Sequence, residues 1–450
     1  MTFGSIMTTI GLIVIGVLLF ELIILFHEGG HFVAAKLSKV KVNEFALGMG
    51  PKLFSFKKGE TTYSLRALPI GGYCAMEGED AESDNPRAFN NVKIYKRMII
   101  IVAGAFMNIV LGLILMFVSL LPSDSFTTNQ IDEFEPYSYT ANCGLQEGDK
   151  IFSVNGYKIN NSFDFSYALA KVKAQNVDGD SLQIYKQDCA FELYRITGET
   201  EKIAVLSNKD LEAFFDDIAS YSEKINVCTT KEAAAKELEN CIVKLNSYFD
   251  TDVFEVPTIE IQESQVRYRA DLVVERNDEK VTLKDVDFFT YKTSADAEHK
   301  MAMDFYVVGK DKNFLTLLEE TGTQTVSMVR MVGDSLVGLV KGDFGFKEVS
   351  GPIGVASATV QVAQQGLEES FGEAVLNIVY VMTIITVNLG IVNMLPFPAL
   401  DGGRFVFLLI EAIFRKPIPR KAEAIVNGAG LILLLIFILI VSLKDVVMLF

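Results

Sequence analysis

Histidine is scarce in this chain: three among 450 residues. Imidazole chemistry is therefore confined to very few places, and two of the three, His27 and His31, stand four residues apart. The five cysteines (Cys74, Cys143, Cys189, Cys228 and Cys241) show no zinc-knuckle spacing, which excludes a zinc knuckle. A Cys228–Cys241 disulfide and free thiols both remain open. Basic residues are also in deficit, 41 Lys and Arg against 57 Asp and Glu. The shortage is sharpest between Glu199 and Glu263, with fifteen acidic and six basic residues. That balance argues against nucleic acid or an anionic membrane surface as a partner. No small-residue cleavage site follows the first apolar run, so the sequence reads as lacking a cleaved signal peptide.

Apolar sequence, by contrast, is abundant. Half of the residues are hydrophobic, more than a soluble acidic protein needs. From Ile6 to Phe26 only Glu21 is charged, and at about 1.5 Å per residue that run spans a bilayer core. Three more runs are long enough: Met98 to Leu121, Ala374 to Leu395 and Ile425 to Leu443. Four transmembrane helices are expected. Lys36 to Arg97 holds eleven Lys and Arg, and Arg404, Arg415, Lys416, Arg420 and Lys421 cluster between the last two spans. The positive-inside bias puts both loops in the cytoplasm and both termini, with Pro122 to Phe371, outside.

The first span ends in Phe26-His27-Glu28-Gly29-Gly30-His31. Residues four apart share a helix face, so both imidazoles can reach one Zn²⁺ while Glu28, one step round, can address the attacking water. A His-Glu-His cluster at membrane depth is costly unless buried, paired or metallated. The plainer alternative is a satisfied polar patch in a helix bundle. Glu21 shares the face of Glu28 but suits a hydrogen-bonding or snorkelling role better than a metal role.

Val40 to Leu68 reads as strands around the turn Lys57-Lys58-Gly59-Glu60, a β-hairpin beside the membrane, and Pro69-Ile70-Gly71-Gly72-Tyr73 reads as a tight turn. The hairpin either plugs the helix bundle or offers an edge to an extended substrate. Ala103 to Asn108 opens the second span with small residues that favour close packing; Asn108 either packs there or faces the metal site. Cys143 to Gly156 alternates glycine turns with a strand, and a helix is expected from Phe163 to Lys173. Strands are expected at Val266 to Glu275, Lys280 to Phe289 and Met301 to Val308. Lys209 to Phe249 has helical spacing, part of an insertion from about 190 to 263. His299 reads as an exposed loop residue. Pro396 and Pro398 end the third span, and Asp401-Gly402-Gly403 follows. Asp401 could supply a third ligand or serve as a cap or ion-pair partner at the cytoplasmic rim.

Taken together, these segments resemble the site-2 protease family of intramembrane zinc metalloproteases, in its bacterial PDZ-containing form. The likeness is carried by the four-span framework, His27-Glu28-Gly29-Gly30-His31, Asn393 to Gly403, Gly71-Gly72-Tyr73 and Val349-Ser350-Gly351-Pro352-Ile353-Gly354. The family's Gly-Pro-x-x-Asn stands here as Gly104-Ala105-Phe106-Met107-Asn108. The resemblance implies Zn²⁺ held by His27, His31 and Asp401, with Glu28 as the catalytic base. Asn393 would support substrate or transition state, with Asn388 and Asn108 grouped beside it. It also implies a polytopic α-helical protein of a bacterial cell membrane with four spans, a membrane-associated hairpin and an extracytoplasmic PDZ-like α+β domain. The expected layout is a first membrane half at 1–121, the PDZ-like region at 122–310, a linker and membrane-associated segment at 311–370 and a second membrane half at 371–450. Substrates would be transmembrane proteins or peptides, such as anti-sigma factors or remnant signal peptides. Exported peptide C-termini would dock at a carboxylate loop around Gly144 to Gly148. A metal-free scaffold and a zinc transporter are the competing classes; the intact motif weighs against the first, and a single metal cluster without an evident ion path weighs against the second.

Overall fold

The computed structural model describes residues 3–79, 82–178, 181–259, 264–291, 300–343, 349–416 and 418–448; His299 lies outside them. The chain forms two compact units, one of Met1–Ser123 with Asn313–Phe450 and one of Asp124–Lys312.

The first unit begins with helix α1 (Phe3–Leu37), strands β1 (Val42–Lys58) and β2 (Thr61–Met76), and helix α2 (Ile94–Leu120). The hairpin turn falls at Gly59-Glu60, as expected, but Pro69 to Tyr73 is not a tight turn. β2 runs on through it to Met76, and Gly71, at φ +84°, absorbs the irregularity as a kink within the strand. Leu47 pairs with both Leu65 and Gly72, so the two strands fold into four pairing segments in the spatial order 54–58, 61–65, 44–47 and 72–76. Glu44 anchors this sheet, accepting from Ser64 Oγ at 2.7 Å and Arg66 at 3.0 Å and pairing with Lys52 at 3.0 Å. Burial pushes its carboxyl up, but these donors outweigh burial and hold it at about 2.

The second unit contains β3 (Ser125–Phe134), α3 (Tyr139–Asn142), β4 (Lys150–Val154), β5 (Tyr157–Lys158), α4 (Ser162–Ala170) and β6 (Ala174–Asp178). There follow α5 (Ser181–Thr197), α6 (Thr200–Ile203), α7 (Asn208–Val227), α8 (Lys231–Asn246), β7 (Ser264–Arg276), β8 (Glu279–Tyr291), β9 (Lys300–Ala302) and β10 (Phe305–Asp311). The sheet runs β10-β3-β4-β7-β8-β9, with β5 on β4 and β6 on β7. Alternate inward residues such as Ile131, Ile151, Leu272, Val274 and Phe288 fill its core with Phe165 of α4. The expected strand from Met301 to Val308 is broken in two. Buried Asp304 interrupts it to accept hydrogen bonds from Thr140 N at 3.1 Å and Thr140 Oγ1 at 2.7 Å. The helices form a second core around Leu193, Phe214, Ile218 and Leu245, and begin at Ser181, earlier than the spacing signal suggested. All five cysteines are free, and Cys189 and Cys241 pack in this helical core as small hydrophobes.

The chain returns to the first unit through α9 (Phe314–Lys341), α10 (Pro352–Glu369), α11 (Phe371–Val392), α12 (Asp401–Phe414) and α13 (Arg420–Met448). Residues 311–370, read as a linker and membrane-associated segment, contain α9 and α10; α9 packs on α2 and α11, and α10 on α11 and α13. Among the described residues four helices are long and apolar enough to cross a membrane: Ile10–Leu37, Ile94–Leu120, Phe371–Val392 and Lys421–Met448. Leu12, Ile23, Leu111, Ile378 and Met382 knit α1, α2 and α11 together, while α13 leaves Ile432, Leu433, Leu435 and Leu439 exposed, an exterior suited to hydrocarbon. The protein is a membrane protein.

Candidate metal centre

Helical spacing puts the imidazoles of His27 and His31 on one face of α1, with their Nε2 atoms 3.3 Å apart. The third participant comes from the far end of the chain. α11 stops at Val392, Asn393 caps it, and the Asn393 carbonyl accepts the Gly402 N–H at 2.7 Å, which folds the Pro396–Ala399 stretch back and starts α12 at Asp401. Two ion pairs hold α12 in place: Arg97 of α2 with Glu411 at 2.6 Å, and Arg404 with Glu79 at 2.5 Å. Asp401 Oδ2 then lies 3.3 Å from His27 Nε2 and 3.3 Å from His31 Nε2.

Three donors at mutual distances of 3.3 Å are spaced as three corners of a tetrahedron whose centre lies about 2 Å from each, which is the length of zinc–imidazole and zinc–carboxylate bonds. Asp401 Oδ2 is buried and, despite its closeness to both rings, takes a well-aligned hydrogen bond from neither. Three such atoms this close, one of them a buried carboxylate oxygen without a hydrogen-bond partner, suit a cation between them. Among the described residues this is the one group of three or more His, Cys, Asp or Glu that could hold a metal. Its hard carboxylate and borderline imidazoles fit Zn²⁺, and a fourth position stays open for chemistry.

The surroundings of the rings come from α2. His31 Nδ1 donates to the Ile100 carbonyl at 2.8 Å, which leaves Nε2 as the lone-pair nitrogen. Asn108, fully buried, places its carboxamide 3.2 Å from His27 Nδ1. Gly104 lies between them in sequence, and a Cβ there would collide with His31 and come within 2.9 Å of His27 Cε1. The small-residue run in α2, read from sequence as helix packing, therefore makes room for the imidazoles themselves. Asn393 sits on the other side, its Nδ2 3.5 Å from His27 Nε2. Asn388 is not brought to the three donors; it lines a separate cavity of about 390 Å³ with Ser335, Leu336, Val349 and Ser350. Glu28 abuts the sheet, since a Cβ at Gly72 would lie 3.4 Å from Glu28 Cγ. Glu21 is buried with one carboxylate oxygen unpartnered, so it does not snorkel to an interface.

The two glycines of the motif differ. A Cβ at Gly30 would strike the Ala103 backbone and lie 2.9 Å from Met107 Cγ, whereas nothing lies within 4 Å of one at Gly29. Gly30→Ala should therefore push α1 off α2 at a cost of about 1–3 kcal/mol and lower the zinc content of purified protein; Gly29→Ala should leave it intact. Equal zinc content in the two variants would show that Gly30 is not the contact that seats the motif.

The loop expected to cradle a peptide carboxylate is otherwise engaged. The N–H groups of Gly144, Leu145, Gln146, Gly148 and Asp149 already donate to the Ala141 and Thr140 carbonyls, Asp149 Oδ2, the Ile131 carbonyl and the Gln146 carbonyl. Arg276 clamps the same loop through Asp149 at 2.7 Å and the Gly144 carbonyl at 2.8 Å. A terminal carboxylate needs such N–H groups free, and these five are engaged within a braced turn.

The sequence profile of Peptidase family M50 matches residues 15–437. A Clostridium acetobutylicum relative named as a candidate zinc metalloprotease is 31% identical over 97% of both chains. The zinc metalloprotease RasP of Bacillus licheniformis is 29% identical, and the regulator of sigma-W protease RasP of Bacillus subtilis 28%, each over 96% of this chain and 98% of its own. With the three donors, the apolar helices and a match across nearly its whole length, this chain belongs to Peptidase family M50 and is a zinc-dependent endopeptidase of the site-2 protease type.

Proposed function

We propose that this protein cuts single-span transmembrane substrates within or beside the bilayer, with His27, His31 and Asp401 holding the zinc and Glu28 as general base. The observation that carries this reading is the convergence of the three donors, 3.3 Å apart, on residues that end or follow membrane-length helices. Zinc, when bound, supplies Lewis acidity toward a peptide carbonyl and makes water a better nucleophile. The chain's own residues do the rest. Glu28 accepts a proton from the attacking water and passes it to the leaving amine. The Asn393 carboxamide, beside His27, is placed to donate to the substrate carbonyl as charge builds on its oxygen.

A transmembrane helix keeps its carbonyls in internal hydrogen bonds, so it must unwind locally before hydrolysis. Among the described residues segment 72–76 pairs on one side only, with 42–47, and passes beside Glu28, which suits it to receive an unwound substrate as an added strand. The name of the Bacillus subtilis relative points to regulation of a sigma factor, which makes a membrane-anchored anti-sigma factor or a remnant signal peptide the favoured substrate class.

For the sheet-rich unit we propose a PDZ-like fold outside the cell membrane that limits access by bulk, because the N–H groups of Gly144, Leu145, Gln146 and Gly148 are already engaged within their own turn. Purified zinc-loaded protein in lipid vesicles should cut a bare single-span test peptide within its apolar residues and resist the same span carrying a folded external domain. Cleavage only outside the apolar residues would reject intramembrane proteolysis, and equal rates would reject the size limit. Orientation has its own test. Lys58 and Lys209 are both exposed, and the loop charge bias places them on opposite sides of the membrane. A membrane-impermeant amine reagent on intact cells should label Lys209 and spare Lys58; the reverse pattern would invert the topology.

A further inference from the structure

We infer that Asn108 is a positioning residue for His27, its carboxamide oxygen accepting the Nδ1–H of that ring and so turning Nε2 toward the metal; this rests on the ligand set proposed above. A zinc-ligating imidazole that binds through Nε2 carries its proton on Nδ1, and that proton needs an acceptor. For His31 the acceptor is the Ile100 carbonyl at 2.8 Å. For His27 the one group within hydrogen-bonding reach of Nδ1, among the described residues, is the Asn108 carboxamide at 3.2 Å.

The carboxamide is held there. Asn108 is fully buried, its own carbonyl accepts from Thr386 Oγ1 at 3.2 Å, and a Cβ at Gly390 would lie 3.3 Å from Asn108 Cβ, so α11 closes over it. Its Oδ1 has no partner, while Nδ2 faces the ring. The two ends of a carboxamide exchange by a half-turn about one bond, with no other atom moving. In one setting Nδ2 donates to an unprotonated Nδ1, and the ring then carries its proton on Nε2, where it blocks the metal. In the other, Oδ1 accepts from Nδ1–H and Nε2 offers its lone pair beside His31 Nε2 and Asp401 Oδ2. Binding of zinc selects the second setting. Helix α2 thus orients both rings, one through a main-chain carbonyl and one through a side chain. That division makes Asn108 the member of the pair a substitution can remove.

The chain's three histidines make the test direct. In ¹⁵N-histidine spectra of the full-length wild-type protein, zinc should shift Nε2 of His27 and leave its Nδ1 protonated. A zinc-bound Nε2 with an unprotonated Nδ1, or coordination through Nδ1, would overturn the role of Asn108 alone. No zinc-dependent shift at His27 would overturn the ligand set and this inference with it. Variants give a second readout through zinc competition with a chelator. Asn108→Ala should weaken zinc binding about 10–100-fold, whereas Asn108→Asp, which keeps an acceptor, should bind close to the wild type. Wild-type zinc affinity in Asn108→Ala, with a fall only in turnover at saturating zinc, would make Asn108 a substrate contact and reject the inference. Where the alanine variant does not accumulate, the wild-type spectrum decides by itself.

Discussion

Glu28→Gln is expected to bind zinc as the wild type does and to lose proteolysis by about 10²–10⁴-fold, the usual contribution of a positioned base. Glu28 is not among the three converging donors, so its replacement by an amide of the same shape leaves the metal cradle standing. An amide cannot take a proton from water at neutral pH. The measurement is a paired one: metal content by atomic spectroscopy and initial rates of cleavage of a single-span peptide, on the same preparation. Wild-type turnover by Glu28→Gln would remove the base from the mechanism. Loss of zinc together with activity would instead make Glu28 a ligand or a structural residue.

Asp401→Ala should have the opposite signature, with metal lost first and activity following from that. Removing one of three protein donors should cost more than the 10–100-fold typical of an outer hydrogen-bond partner. The two imidazoles that remain, 3.3 Å apart, still share a helix face, but two donors make a poor zinc site. His27→Ala and His31→Ala should behave alike. Chelator competition on the purified variant settles the point, and unchanged zinc affinity in Asp401→Ala would exclude it from the ligand set. The ion pairs Arg97–Glu411 and Arg404–Glu79 bear on the same result, because they seat the helix that begins at Asp401.

Much of this architecture is local enough to be read along the chain. Spacing of four residues brings His27 and His31 to one helix face in any α-helix, and apolar runs of about twenty residues mark spans whatever their neighbours. The hairpin turn at Gly59-Glu60 follows from its own residues. Other features depend on two or more segments at once. Pro69 to Tyr73 has the composition of a turn, yet pairing with 42–47 keeps it in the strand. Residues 181–197 carry little periodic signal and become helical against Phe214, Ile218 and Leu245. Residues 314–341 show no apolar run long enough to be taken as a span and fold as a helix against α2 and α11.

Three asparagines in or just beyond the apolar helices make the distinction plain. In sequence Asn108, Asn388 and Asn393 are alike: each is an amide in or at the end of a span that must find a polar partner. By itself the sequence determined that this chain carries apolar runs long enough to cross a membrane, that a histidine pair of metal-ligand spacing ends the first of them, and that an acidic residue after two prolines was available as a third donor. Only the tertiary structure decided that Asp401 stands 3.3 Å from both imidazoles, that Asn108 and Asn393 face His27 while Asn388 lines another cavity, and that Gly104 makes room for the rings. The physical reason is that periodicity sets which residues share a face of one helix. Which faces meet depends on where α1, α2, α11 and α12 approach most closely, and that depends on residues such as Gly30, Arg97 and Glu411, far apart in the chain.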